Sequence, residues 1–399
     1  MSQTYADIII DISHSAIDRV FQYRIGEALE SQVQIGSLVT VPFGKGNARR
    51  HGYVIGITDE PSYEPEKIKD ILEVPQKGLP IEGKLIQLAA WMRETYGTTM
   101  NQALQTVMPV KQTVRKTAQK IEETVLSDKN WEFVTLNDAQ QALVDAFAED
   151  YQNKVRKTYL LHGITGSGKT EVYIQCIKEV VRDGGQAIVL IPEISLTYQT
   201  LARFRKHFGT RVAFVNSKQS KGEKYEQFRR AKEGEVDVVI GPRTALFTPF
   251  PNLKLIVIDE EHDAAFKSDQ APKYHARDVA IKRAELEEAS VILGSATPSV
   301  ESYAQAETGR YVLWELNSRP DGVKAQQIEV VDLRDELRKG NRSIISRNLY
   351  AKIQDRLAKK EQMMLFINRR GFNSFVSCRA CGEAIKCPKC DVALTYHQQ

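Results

Sequence analysis

The segment Gly163 to Thr170 (GITGSGKT) sets three glycines around a lysine and a threonine. An apolar run, Tyr159 to Leu161, precedes it and an amphipathic one, Val172 to Val181, follows, so it reads as strand, tight loop and helix. Gly163, Gly166 and Gly168 let the backbone wrap a polyphosphate, with Thr165 and Ser167 between them, and the amides at the helix N-terminus face its charge. Lys169 has the reach for the β and γ phosphates, and the Thr170 hydroxyl suits Mg²⁺. Downstream, the apolar run Leu255 to Ile258 ends in Asp259-Glu260-Glu261-His262. Asp259 is expected at the strand's carboxyl end beside the metal, with Glu260 placed to polarise an attacking water. Lys169, Asp259 and Glu260 are therefore the expected catalytic residues, with ATP and Mg²⁺ as cofactors. A glycine turn that holds nothing is the alternative, and the strand and helix flanks with the Asp-Glu strand end weigh against it.

Three more segments also close apolar runs. They are Ile191 to Thr197 (IPEISLT), Gly241 to Ala245 (GPRTA) and Gly294 to Pro298 (GSATP). Singly each has a plain reading: a strand-to-helix turn with Ser195 as N-cap, a solvated Arg243, a small polar turn. Together they end strands of one parallel sheet, and ligands of such sheets sit at the carboxyl ends of the strands. Arg243 is then a candidate for a backbone phosphate. The pairs Cys378-x₂-Cys381 and Cys387-x₂-Cys390 have the spacing of zinc thiolates. The five residues between the pairs make a single four-cysteine site cramped, so one site and halves of two sites are both open. Cys176, alone in the helix after the glycine loop, reads as a small core residue.

These groups need an α/β frame. From Tyr159 onward, strands and helices alternate: 187–191, helix 195–207, 212–215, helix 222–233, 236–240, 255–258, helix 275–288 and 291–293. That rhythm predicts a parallel sheet wrapped by helices over 135–322. Before it, residues 1–109 read as a small separate β-rich domain with a helix at 85–96. Residues 110–134 read as a polar, lysine-rich linker. After it, a strand at 328–331, a helix at 347–360 and a strand at 364–367 predict the start of a second α/β lobe over 323–376, followed by the cysteine region 377–399. With 42% hydrophobic and 27% charged residues, composition is that of an ordinary soluble protein. The net charge of +4 permits a nucleic-acid partner without requiring one. No apolar run reaches the ~18–20 residues of a membrane span. Clustered cysteines suggest a reducing, cytoplasmic setting.

In order and spacing, these motifs resemble superfamily 2 helicases, which implies that 135–322 form a P-loop, RecA-like α/β lobe. Closer phrases resemble the primosomal replication-restart helicases: GITGSGKTEVY from Gly163, IPEISLT, DEEH, Lys273-Tyr-His-Ala-Arg-Asp278, GSATPS, Asn368-Arg-Arg-Gly371, and in the first domain Asp18 to Tyr23 and Val41 to Gly44. The resemblance implies 3′-to-5′ unwinding at abandoned forks and reloading of the replicative helicase. It implies that Gln140 reads adenine, where the residues alone suggest a helix-surface glutamine. It also implies that His262, Ser295 and Thr297 couple hydrolysis to DNA movement. The loop from Phe266 to Asp278 becomes an aromatic-rich sensor of single-stranded DNA, with Phe266, Lys267, Tyr274 and Arg277 in contact. A partly buried loop is its plain reading. Phe21, Gly44 and Lys69 match a pocket for a DNA 3′ end. Gln22 stands where many members carry Asp and keeps an amide for a 3′ hydroxyl. Eight cysteines and two zinc ions in the family make Cys378, Cys381, Cys387 and Cys390 two half-sites. Implied partners are forked and single-stranded DNA, single-stranded-DNA-binding protein and other primosome proteins, and no membrane. Residues 110–134 are too short for the family's winged-helix domain, and most of the second lobe with its arginine finger lies beyond this sequence. It is thus expected to be an N-terminal portion of such a helicase. The other readings are a non-catalytic module binding forks and nucleotide, or a restriction-type motor subunit.

Overall fold

The computed structural model describes residues 3–12, 14, 17–75, 81–108, 135–195, 197–317, 328–366 and 383–390. The expected linker, the Asn368 to Gly371 phrase, Cys378 and Cys381 lie outside them. The chain divides into two compact units, 1–323 and 324–399.

The first unit opens with an antiparallel sheet in the order β2-β1-β4-β3, formed by β1 (Tyr5–Ile10), β2 (Phe21–Arg24), β3 (Leu38–Phe43) and β4 (Ala48–Thr58). Strand alternation splits its side chains between two faces. Ala6, Ile8, Ile10, Tyr23, Val39, Val41 and Val54 close one core, whereas Ile9 and Tyr53 pack with helices α1 (Gly83–Tyr96) and α2 (Met100–Val107). Leu85, Leu88, Ala89 and Met92 form the buried stripe of α1, as their spacing predicts. Gly97, at φ 59°, ends that helix in the left-handed region glycine tolerates. Thr99 and Gln102 then start α2 with a reciprocal capping box.

The core under α1 continues into the parallel sheet, so the N-terminal part shares a core with the lobe instead of standing apart. That sheet has seven strands in the order β11-β5-β10-β9-β6-β8-β7. They are β5 (Thr158–Gly163), β6 (Gln186–Leu190), β7 (Val212–Phe214), β8 (Val238–Gly241), β9 (Leu253–Asp259), β10 (Ser290–Ser295) and β11 (Val312–Leu316). Helices α3 (Asp138–Gln152), α4 (Lys169–Arg182), α5 (Tyr198–Phe208), α6 (Lys221–Lys232), α7 (Ala276–Glu287) and α8 (Val300–Glu307) alternate with them. The central strands are buried on both faces, which is why they read as unbroken apolar runs. Thr197, not Ser195, caps α5, because Ser195 closes a short 3₁₀ turn first.

The second unit contains α9 (Leu333–Arg338) and α10 (Arg347–Ala358), the latter capped by Ser346. The strands expected at 328–331 and 364–367 are absent among the described residues, and Ile328 and Met364 stand 89% and 91% exposed. A short apolar run becomes a strand only where neighbouring strands pair with it and a face is buried. Among the described residues of this unit, none is paired into such a sheet.

Candidate nucleotide and DNA site

The order of the parallel strands brings β5, β10, β9 and β6 side by side, so the motifs at their carboxyl ends meet. Gly166 and Gly168 take φ of 82° and 85°, which lets the loop after β5 turn tightly into α4. A Cβ at Gly163 would stand 2.6 Å from the Ser167 hydroxyl, so a side chain there would crowd the loop. Lys169 is buried, and its Nζ donates to the Gly163 carbonyl at 2.7 Å. The Ser167 hydroxyl is buried without a protein partner. A buried unpaired hydroxyl beside a buried ammonium, at the start of a helix, fits a phosphate.

Across the loop, Asp259 Oδ1 accepts from the Tyr173 hydroxyl at 3.1 Å and from the Glu260 amide at 3.2 Å. Burial, and then the charge of Glu260, push the Asp259 carboxyl up to about 6, although Tyr173 and Lys169 pull the other way. A carboxylate held out of water beside a second one is a fitting ligand for a divalent cation. Glu260 sits at φ 52°, a region costly for a side chain with a Cβ and often found at functional positions. His262 Nδ1 lies 2.7 Å from Ser295 Oγ and 3.7 Å from Glu260 Oε2. Ser295 Oγ also accepts from the Thr297 amide at 2.9 Å, and Thr297 Oγ1 lies 3.5 Å from His262 Nε2. The three residues expected to couple hydrolysis to movement therefore form one polar chain starting beside Glu260.

Two residues in this centre were not singled out by sequence. Glu261, 1% exposed, accepts from the Ser299 amide at 2.6 Å and from the Ser302 hydroxyl at 2.9 Å, with Arg277 Nη1 at 3.6 Å. It ties the end of β9 to the starts of α7 and α8. Tyr173 is the other. Its signal was its place three residues after Thr170, on the same side of α4.

Gln140 is buried, not on the helix surface. It is 1% exposed, its Oε1 accepts from the Asn137 amide at 3.0 Å, and its Nε2 donates to the Ser167 carbonyl at 2.8 Å. Both ends of its amide are used in anchoring the glycine loop to α3.

The expected DNA contacts separate into two groups. In the first domain, Phe21 packs edge-on against Phe43 at 5.2 Å, and Lys69 Nζ donates to the Gly44 carbonyl at 2.8 Å. Phe21 on β2 and Gly44 after β3 belong to opposite ends of the strand order, and the Phe21–Phe43 contact and Lys69 bring them together; the Arg19 guanidinium lies 5.0 Å over the Phe21 ring. Gln22 points to the other face. It is 4% exposed and saturated by Asp7, the Glu60 carbonyl and Ser62, so it has no amide left for a 3′ hydroxyl. In the loop before α7, Phe266 and Tyr274 are 1% and 3% exposed, which leaves neither ring open to stack on a base. Arg243 donates to the Ala265 and Lys267 carbonyls and lies 5.4 Å over the Tyr274 ring. Arg277 is engaged by Ser299, Ser302 and Asp278. These four residues build the loop, because an aromatic next to a guanidinium is stable when both are desolvated together. Lys267 alone among the loop residues expected at DNA is exposed, with its ammonium 5.9 Å from the Tyr96 ring of α1.

Cys387 and Cys390 are the described half of the cysteine set. The Lys389 backbone, then the Cys390 side chain and backbone, hydrogen-bond the Cys387 thiol and hold it below its usual range. Such a turn favours thiolate and fits half of a tetrahedral zinc site.

Two families match this chain. Residues 7–109 match the PriA 3'DNA-binding domain (3'BD), and residues 133–300 match the family described as type III restriction enzyme, res subunit. The chain is 48% identical over 270 residues to the replication restart protein PriA of Bacillus subtilis, covering 68% of this chain and 34% of that one. It is 32% identical to the replication restart protein PriA of Chlamydia muridarum, covering 99% of this chain and 62% of that one. The corresponding protein of Rickettsia felis is 35% identical over 94% of this chain and 56% of its own. The chain thus spans from about a third to about three fifths of the length of these relatives. A solved structure of RecG bound to a three-way DNA junction covers 57% of this chain and 32% of that one, with 24% identity and a TM-score of 0.39, and adds nothing to the assignment. No helix among the described residues is long and apolar enough to cross a membrane. A helicase-like lobe joined to a 3'DNA-binding domain, with relatives of one name matching nearly the whole chain, places this protein in the family of the replication restart protein PriA.

Proposed function

We propose that this chain is the DNA-end-recognising and nucleotide-binding portion of an ATP-dependent DNA helicase that restarts replication at abandoned forks. The observation that carries this is the meeting of Lys169, Asp259 and Glu260 at one sheet edge, in the unit that also contains the matched 3'DNA-binding domain. Lys169 and the amides of 166–170 would hold the phosphates, and the Thr170 hydroxyl and Asp259 would hold Mg²⁺. The cation would supply positive charge against the phosphates. Glu260 accepts a hydrogen bond from the attacking water and orients it. His262, Ser295 and Thr297 carry the resulting change away from the site through their shared hydrogen bonds. Phe21, Gly44 and Lys69 receive the DNA 3′ end, and their lysine supplies charge for a nearby backbone phosphate.

Movement in the 3′-to-5′ direction, reloading of the replicative helicase, and contacts with single-stranded-DNA-binding protein and other primosome proteins belong to this reading through the family. So do a cytoplasmic location and zinc held by Cys378, Cys381, Cys387 and Cys390 with further cysteines. A second reading, a module that binds fork and nucleotide without turnover, is favoured by one observation. The Lys169 ammonium bonds the Gly163 carbonyl and the Gln140 amide of α3 bonds the Ser167 carbonyl, so the glycine loop is tied down both from within and from α3. ATP hydrolysis by this chain, with and without a forked DNA bearing a free 3′ end, separates them. DNA-stimulated turnover that Glu260→Gln abolishes supports the motor. Fork binding without turnover supports the module, and binding of neither ATP nor forks sinks both.

A further inference from the structure

Tyr173 has no part in holding phosphate, yet it sits against the metal-binding carboxylate. It follows Thr170 by three residues, so both hydroxyls leave α4 on the same side. Its ring is 1% exposed, and its hydroxyl donates to Asp259 Oδ1 at 3.1 Å. The Glu260 amide donates to the same oxygen at 3.2 Å. Two donors on one oxygen fix the rotation of the carboxylate and leave its other oxygen for a cation.

Gly294 provides a separate observation. It lies on β10 directly opposite Asp259. A Cβ there would stand 1.5 Å from the Tyr173 hydroxyl oxygen and 2.6 Å from the ring carbon that bears it. Gly294 is not among the positive-φ glycines, so its backbone does not require glycine. What requires it is the tip of Tyr173. The first residue of the GSATP segment therefore clears the space through which a tyrosine hydroxyl reaches Asp259.

We infer that Tyr173 is a positioning residue for the divalent cation: through Asp259 it sets how tightly the site takes Mg²⁺ with nucleotide, and Gly294 is the clearance it needs. The inference rests on the MgATP reading of this site. A buried tyrosine that merely found an acceptor would influence stability alone, whereas a positioning tyrosine acts on the metal.

The test is a Mg²⁺ titration of a fluorescent ATP analogue (methylanthraniloyl-ATP) binding to the full chain. Tyr173→Phe keeps the ring and removes the hydroxyl. It is expected to raise the half-saturating Mg²⁺ concentration by about three- to tenfold, the worth of one hydrogen bond, and to leave Mg²⁺-free binding of the analogue unchanged. In an Asp259→Asn background the same change is expected to shift nothing further. Gly294→Ala, which pushes the hydroxyl away, is expected to reproduce the shift. A Tyr173→Phe titration that overlays the wild type overturns the inference alone, as does a shift that persists beside Asp259→Asn. Wild-type binding that is identical with and without Mg²⁺ overturns the MgATP reading and this inference with it.

Discussion

Replacing Glu261 by alanine is expected to destabilise the first unit by about 3 kcal/mol, the lower end of the ~3–5 kcal/mol lost when one partner of a buried ion pair is removed. Glu261 is 1% exposed and accepts from the Ser299 amide at 2.6 Å, the Ser302 hydroxyl at 2.9 Å and the Ser299 hydroxyl at 3.2 Å, with Arg277 at 3.6 Å. Alanine leaves these donors without their acceptor in a largely buried site. The lower end applies because the Arg277 guanidinium keeps the two serine oxygens and Asp278 at 3.2 Å. Glu261→Gln keeps one acceptor oxygen and should cost about 1–2 kcal/mol, close to the worth of a charge-assisted hydrogen bond. The assay is urea unfolding followed by tryptophan fluorescence. Trp314 on β11 is buried and stacks on Tyr159 at 4.3 Å, so its emission reports the lobe. An alanine variant within about 1 kcal/mol of the wild type would show that Glu261 is not the tie between β9, α7 and α8, and would refute the reasoning.

Lys169→Ala is expected to abolish MgATP binding and leave fork binding largely intact, read by nucleotide fluorescence and DNA anisotropy on one sample; joint loss would mean the two sites are not separable. Fork affinity should fall steeply between low and physiological salt if Lys45, Arg49, Arg50 and Lys69 follow phosphates, with Arg49 contributing least because it already pairs with Glu73 at 3.2 Å. A flat salt response would show that these cations do not follow phosphates. Mg²⁺-dependent nucleotide binding should weaken as pH drops through about 6, where Asp259 takes up a proton that competes with the metal. The same raised carboxyl works in the opposite direction on the metal-free fold: its contribution to stability is present near pH 4 and is lost as pH rises through about 6. A Mg²⁺ affinity constant from pH 5 to 7 would contradict the burial of Asp259.

The glycine loop and the Asp259-Glu260 strand end were legible in the sequence because phosphate and metal chemistry dictate residue types at fixed spacing. The parallel sheet was legible because strands buried on both faces must be apolar throughout. Exposure within the loops was not legible. Phe266, Tyr274, Arg243 and Arg277 are equally suited, by type, to stacking on DNA or to building a desolvated cluster, and spacing does not tell these apart. Gln22 is a similar case: its neighbour Phe21 faces the expected pocket, but strand alternation turns Gln22 to the opposite side, where Asp7 and Ser62 use its amide. The runs at 328–331 and 364–367 have strand composition, and composition says nothing about whether a partner strand is at hand.

One helix, α7, links the two ends of the first unit. Helix α7 is twelve residues long, about 18 Å at 1.5 Å per residue. Near its first turn Arg277 joins Glu261 and the serines of α8, a few residues from Asp259 and Glu260. At its last turn Glu287 pairs with Lys84 of α1 at 2.7 Å, and the wholly buried Arg283 donates to the Leu246 and Thr248 carbonyls. The loop that feeds the helix is held by Arg243 and touches Tyr96 at the end of the same α1. A buried charged helix tied at both ends does not bend locally without leaving ions unpaired, so a displacement at one end is passed on as a rigid shift. The aromatic residues of the loop add to this anchoring, since Tyr274 lies under the Arg243 guanidinium and packs edge-on against Phe247.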